Sequence, residues 1–134
     1  MQNRTFILLS GIVLALAAAP AFGHHSFAAE YDSNKPVTLK GVVTKMEWQN
    51  PHARFYIDVK DEAGVVTNWD LELGSPNGLM RRGWTRNSLK PGDIVTVDGY
   101  LAKDGSKLAN ARNVTLGDGR KIFAGSSDDG GPSK

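Results

Sequence analysis

The apolar positions of this chain fall into three regimes. From Phe6 to Ala19 they run almost unbroken, interrupted only by Ser10 and Gly11. From Val37 to Leu116 they alternate with polar positions over several short stretches, and after Ala124 they give way to Gly, Ser and Asp. Alternation at a period of two predicts half-buried strands, because successive side chains of a strand point to opposite faces.

Val37 to Trp48 is expected as a first strand with a slip of phase. Val37 and Leu39 share one face, whereas Val42, Met46 and Trp48 take the other parity, and Gly41 stands at the change. A glycine there predicts a bulge or sharp bend. Asparagine before proline at Asn50-Pro51 predicts a turn. The second strand places Ala53, Phe55, Ile57 and Val59 on one side and Arg54, Tyr56, Asp58 and Lys60 on the other. After the loop Asp61-Glu62-Ala63-Gly64, Val65, Thr67, Trp69, Leu71 and Leu73 alternate with Val66, Asn68, Asp70 and Glu72, so the two strands are expected to form a hairpin.

Ser75 to Gly83 abandons the period of two. Serine caps free amides, proline suits the first helical position and Gly83 suits a left-handed exit, so a helix of about two turns is expected despite Gly78. Trp84 follows as the plug of the barrel end. Ile94 to Leu101 and Leu108 to Leu116 supply two more strands, and Asp118-Gly119 leads to a short segment ending near Phe123. Three strands, a short helix and two strands, the first one bulged, is the order of the five-stranded OB barrel. The expected fold class is therefore all-β: a small OB-like barrel with its helix between strands 3 and 4, preceded by a cleavable signal helix. Periodicity alone leaves an unrelated small barrel or sandwich open.

Composition adds the compartment. Arg4 is the only charge before the apolar run, and the small residues Ala21 and Gly23 follow it, the pattern of a secretory signal. The run is short for a membrane span. The expected organisation is a signal peptide over 1–23, an arm over 24–36 docking through Phe27 and Tyr31, the barrel over 37–123, and a tail over 124–134 too poor in apolar surface to order itself. A periplasmic or secreted protein with no transmembrane span after processing is expected. The chain has no cysteine, which excludes disulfides and thiolate metal sites. Its 16 basic and 14 acidic residues become 15 and 14 without Arg4, a balance unlike that of a nucleic-acid binder driven by bulk charge.

The runs His-His-Ser-Phe-Ala-Ala-Glu-Tyr-Asp at 24–32, Lys-Pro-Val-Thr-Leu-Lys-Gly from 35, Glu-Trp-Gln-Asn-Pro-His at 47–52 and Leu-Lys-Pro-Gly-Asp at 89–93 resemble a group of functionally uncharacterised exported bacterial proteins. The resemblance covers nearly the whole processed chain. It implies a secreted or periplasmic single domain and brings no activity or catalytic residue with it.

Candidate chemistry centres on the three histidines, His24, His25 and His52. Cleavage after Gly23 would give His24 a free amine beside its ring Nδ1, and a second imidazole from His52 would complete a T-shaped set of nitrogens suited to Cu(II). The amine titrates near neutrality, so freeing it for a metal costs little. His25 is the weaker partner, since neighbours in an extended chain point apart. Against this stands the plain reading of a solvated terminus and a polar turn residue. Asp58, Asp70 and Glu72 share a strand face with Arg54, Tyr56 and Lys60, which favours a solvated, charge-mixed surface over acid–base chemistry. Arg81, Arg82, Arg86 and Lys90 surround Trp84 and suit an acidic partner. The leading expectation is an exported binding protein holding copper through His24 and His52. The alternative is a non-metal module that engages an envelope protein, peptide or glycan through Tyr56, Arg54, Arg81 and Arg82.

Overall fold

The computed structural model describes residues 27–125. The expected signal peptide, with His24 and His25 beyond it, and the tail from residue 126 onward lie outside the described residues. The elements are α1 (Phe27–Glu30), β1 (Tyr31–Glu47), β2 (Arg54–Lys60), β3 (Val66–Glu72), α2 (Pro76–Arg81), β4 (Ile94–Ala102), β5 (Leu108–Thr115) and β6 (Lys121–Phe123). The protein is mainly β. Its strands form one sheet in the order β3-β2-β1-β4-β5-β6, and β3 also pairs with β5, so five strands close a ring from which β6 extends. Every pairing is antiparallel except the parallel one between β3 and β5.

β1 serves two neighbours because it bends. Its second half pairs with β2 and its first half with β4, the two ladders overlapping at Val42. At Gly41 an added Cβ would collide with the Asp58 carbonyl oxygen, so only glycine lets β2 approach the bend this closely. The register irregularity itself lies a little further on, between Val43 and Lys45. Gly99 does the same on β4, beside a second irregularity, where a Cβ would collide with the Asn110 carbonyl oxygen.

The hairpin of β2 and β3 runs in unbroken register, with Phe55 opposite Leu71 and Ile57 opposite Trp69. Phe55, Ile57 and Leu71 are fully buried in a core they share with Val43, Val97 and Val114. Each such side chain contributes about 1.5–3 kcal/mol on leaving water. The short helix forms between β3 and β4 for the reasons its residues suggest. Ser75 Oγ accepts the Gly78 N–H at 3.2 Å, Pro76 opens the helix, and Gly83 exits at φ +92. The helix delivers Leu79 and Trp84 to the core, and Trp84 Nε1–H donates to the Phe123 carbonyl at 3.0 Å, which ties the α2 exit to β6. Ala124 is also buried. Its N–H donates to Arg112 O and its carbonyl accepts from Gly74 N–H.

The amino-terminal part of the described chain packs apart from this core. Where an extended arm was expected, Phe27–Glu30 forms one helical turn that runs straight into β1. Phe27, Tyr31 and Ala102 make a cluster of their own, flanked by Tyr100 and Leu108. The Phe27 ring meets Tyr100 edge-on at 5.6 Å, and the Arg112 guanidinium lies 4.9 Å from its centroid.

Candidate functional site

The outer face of β2 and β3 carries the polar half of each alternating pattern. The register sets Arg54 opposite Glu72, Tyr56 opposite Asp70 and Asp58 opposite Asn68. Side chains directly opposite in an antiparallel pair are close enough to bond, and Arg54 with Glu72 and Asp58 with Asn68 do, while Arg54 also reaches its diagonal neighbour Asp70. Arg54 Nη1 donates to both Asp70 oxygens, at 3.0 and 2.9 Å, and its Nη2 donates to Glu72 at 2.8 Å. The Tyr56 hydroxyl donates to Glu47 at 3.1 Å, and Asn68 donates to Asp58 at 2.8 Å. Lys45 pairs with Glu47. The mixed-charge face expected from the sequence is thus a cross-strand ladder whose members satisfy one another. That leaves Arg54 and Tyr56 already engaged.

One end of the ladder is not solvated. Glu72 is only 7% exposed and Tyr31, from the segment that covers it, only 2%. Burial pushes the Glu72 carboxyl above the usual glutamate range, while the nearby His52 and Arg54 pull it back in part. Burial, then the neighbouring charges of Glu72 and Glu30, push the Tyr31 hydroxyl far above the usual tyrosine range, so it stays protonated. That hydroxyl is buried facing Glu72, and the interaction between the two raises the hydroxyl and lowers the carboxyl. Asn110, whose backbone stands opposite Glu72 in the parallel pairing, buries its Oδ1 without a hydrogen-bond partner in the protein.

His52 borders the same cluster. It follows the cis Asn50–Pro51 bond and is held by its neighbour Ala53, whose N–H donates to the Gly74 carbonyl and whose carbonyl accepts from the Leu73 N–H. Its Nδ1 lies 3.0 Å from the Leu73 carbonyl, which can only accept, so Nδ1 carries the proton and donates. The same nitrogen is 4.0 Å from Glu72 Oε1. His52, Glu72, Arg54 and Tyr31 therefore meet at one end of the sheet.

The other expected site residues are distributed differently. His24 and His25 lie outside the described residues. Among the described residues, no group of three or more His, Cys, Asp or Glu has a geometry that would hold a metal ion. Arg81 is exposed at the end of α2, and Arg82 stacks its guanidinium 4.3 Å from the Phe123 ring. Sequence reasoning gave Tyr31 a docking role but missed its partner. A glutamate closing an alternating strand looks like any solvated one until a distant segment is seen to cover it.

Fold and site together define a small, mainly β protein in which the segment carrying Tyr31 packs against a buried carboxylate at the end of a polar ladder. The chain belongs to a family of unknown function, DUF6152, whose model matches residues 12–111. Comparison with curated proteins finds no match.

Proposed function

We propose that this protein is an exported, periplasmic OB-like barrel that binds Cu(II) at its processed amino terminus. His24 would supply the amine and ring Nδ1, and His52 the third nitrogen. The barrel reading is supported by the strand ring β1-β2-β3-β5-β4 and by a helix between β3 and β4. Export is supported by the apolar opening run and the small residues before His24.

The observation that carries the reading is the bond from His52 Nδ1–H to Leu73 O. It fixes the tautomer in which Nε2 is the basic nitrogen, the arrangement by which metal-ligating imidazoles are oriented. The docking of Tyr31 against Glu72, itself beside His52, gives further support. His24 precedes Phe27 by three residues, a reach of about 10 Å in extended chain. Nitrogen-rich sets of this kind favour Cu(II) among the first-row divalent ions.

The test is a Cu(II) titration of processed protein whose native terminus is verified by mass spectrometry, read by electron paramagnetic resonance. One equivalent with nitrogen couplings is expected, and both His24→Ala and His52→Ala should weaken it sharply. Equal affinity in a protein extended by one N-terminal methionine sinks the proposal.

A second reading, a non-metal module for an acidic envelope protein, peptide or glycan, is favoured by α2. Met80 is 51% exposed there, next to the exposed Arg81. A partner recovered from envelope extract in the presence of chelator, and lost in Arg81→Glu, supports that reading instead.

A further inference from the structure

The stretch from Leu73 to Gly92 holds four cations, Arg81, Arg82, Arg86 and Lys90, and no aspartate or glutamate. Leu79, Trp84 and Leu89, spaced five residues apart, are all buried in the main core. Because these anchors point inward, the residues between them protrude as two short turns. The Gly83 N–H closes the first on Met80 O and the Ser88 N–H closes the second on Thr85 O, both at 3.0 Å. Met80, Arg81 and Arg82 stand exposed on the first turn, Arg86 on the second and Lys90 just past the last anchor. Among the described residues, none of the four cations pairs with a carboxylate.

Four solvated cations alone make an ordinary wet surface. Met80 changes the reading: it is 51% exposed while its neighbour Leu79 is fully buried, so α2 turns a long, flexible apolar side chain outward among arginines. An apolar tip ringed by cations suits the interface of an anionic membrane, where the tip sinks below the phosphates and the guanidiniums bond to them. An acidic protein or glycan would engage the cations but would need a matching pocket for Met80, whereas the fluid acyl boundary needs none. Cations spread along two outward turns also match an array of separate phosphates better than one small anion.

The rest of the molecule gives the docking a direction. α2 follows β3, whose seven residues from Val66 to Glu72 span about 23 Å, so the turn between β2 and β3 lies at the far end of the hairpin. That turn exposes Lys60 together with Asp61 and Glu62. An anionic surface therefore attracts the α2 end and not the far one.

We propose that the two turns flanking Trp84 dock this protein on an anionic lipid surface, with Met80 entering the boundary between headgroups and acyl chains and Arg81, Arg82, Arg86 and Lys90 on the lipid phosphates. The docking is independent of copper and goes beyond both readings above.

The test is sedimentation of the full processed chain, in chelator, with vesicles of phosphatidylcholine alone and of phosphatidylcholine mixed with phosphatidylglycerol. Binding is expected to the mixed vesicles only, and to weaken as salt rises. Arg81→Ala and Arg86→Ala should each weaken it about fivefold, and the two together about 25-fold, while Arg81→Lys keeps most of it. The chain has no cysteine, so a polarity-sensitive dye on Met80→Cys reports that position alone. Its emission should shift to the blue on mixed vesicles, and the same dye on Val65→Cys, 58% exposed beside the far turn, should not shift. Equal binding to both kinds of vesicle overturns the proposal, as does an unshifted dye at position 80 in the bound protein or an equal shift at position 65. Absence of vesicle binding, with soluble polyglutamate or heparin bound through Arg81, also overturns it and assigns the surface to an acidic protein or glycan.

Discussion

Arg54 and Glu72 stand directly opposite each other on β2 and β3, and the guanidinium donates to the carboxylate at 2.8 Å where Tyr31 shields it from water. The second half of the same guanidinium holds Asp70, which is far more open, with a third of its side chain exposed (32%). One cation thus serves two carboxylates of very different burial, and removing it should expose that difference.

Arg54→Ala leaves Glu72 buried beside only a partly compensating His52. A loss of about 2–4 kcal/mol is expected in urea unfolding, since a buried charge stripped of its partner bears most of its desolvation cost. Asp70→Asn should cost under about 1 kcal/mol, as exposed ion pairs do. Similar losses for the two variants would show that burial at Glu72 carries no energetic weight. Arg54→Met combined with Glu72→Leu should recover much of the loss, because the unpaired charge goes with its partner.

The pH dependence of global stability has a definite sign at this position. The folded-state value of Glu72 lies above its unfolded one, so the ionised group opposes folding at neutral pH. Relative to Glu72→Gln, the wild type should gain stability as pH falls through the raised value towards the ordinary glutamate range, and gain nothing further below it. Urea midpoints of both proteins across that interval measure the difference. A wild type that loses ground to Glu72→Gln on acidification contradicts the assignment.

Two glycine substitutions should separate close approach from backbone conformation. At Gly99 a Cβ would strike the Asn110 carbonyl oxygen, a backbone atom of a paired strand with nowhere to go. Gly99→Ala should therefore cost about 3 kcal/mol or more, beyond the usual range for overpacking by one methyl. Gly64 has open space around it and only its φ of +83 to oppose a side chain. Gly64→Ala should cost about 1–2 kcal/mol, the price of a left-handed conformation. Thermal melts that reverse this order would show that β4 and β5 can separate at Gly99 to make room.

The parts of the fold that rest on local signals were legible in the chain. The alternation from Arg54 to Glu72 foretold the hairpin, and Ser75, Pro76 and Gly83 foretold the helix, because each depends on residues a few positions apart. The bend at Gly41 was legible as a change of phase, but the irregularity falls between Val43 and Lys45, where the competing demands of β2 and β4 are settled. Gly99 passed unnoticed because the atom that forbids a side chain belongs to Asn110 on the next strand. The candidate site was legible only in its members. His52, Arg54 and Glu72 were each visible, while their convergence under Tyr31 depends on how a distant segment returns across the sheet.

The ring of strands also has a history written into its pairing. Its closing contact is the parallel one, three residue pairs joining Asp70, Leu71 and Glu72 to Leu108, Ala109 and Asn110. The β2–β3 hairpin can form by closing a short loop, but this seam joins segments far apart in the chain and repays its entropy only once both are in place. It is therefore expected to assemble late, so that changes at Ala109 alter how long the native ring survives more than how fast it is made. A stopped-flow comparison with Ala109→Gly should show a steeper loss in the unfolding limb than in the refolding limb. The few residues that lock the ring would then act as its clock.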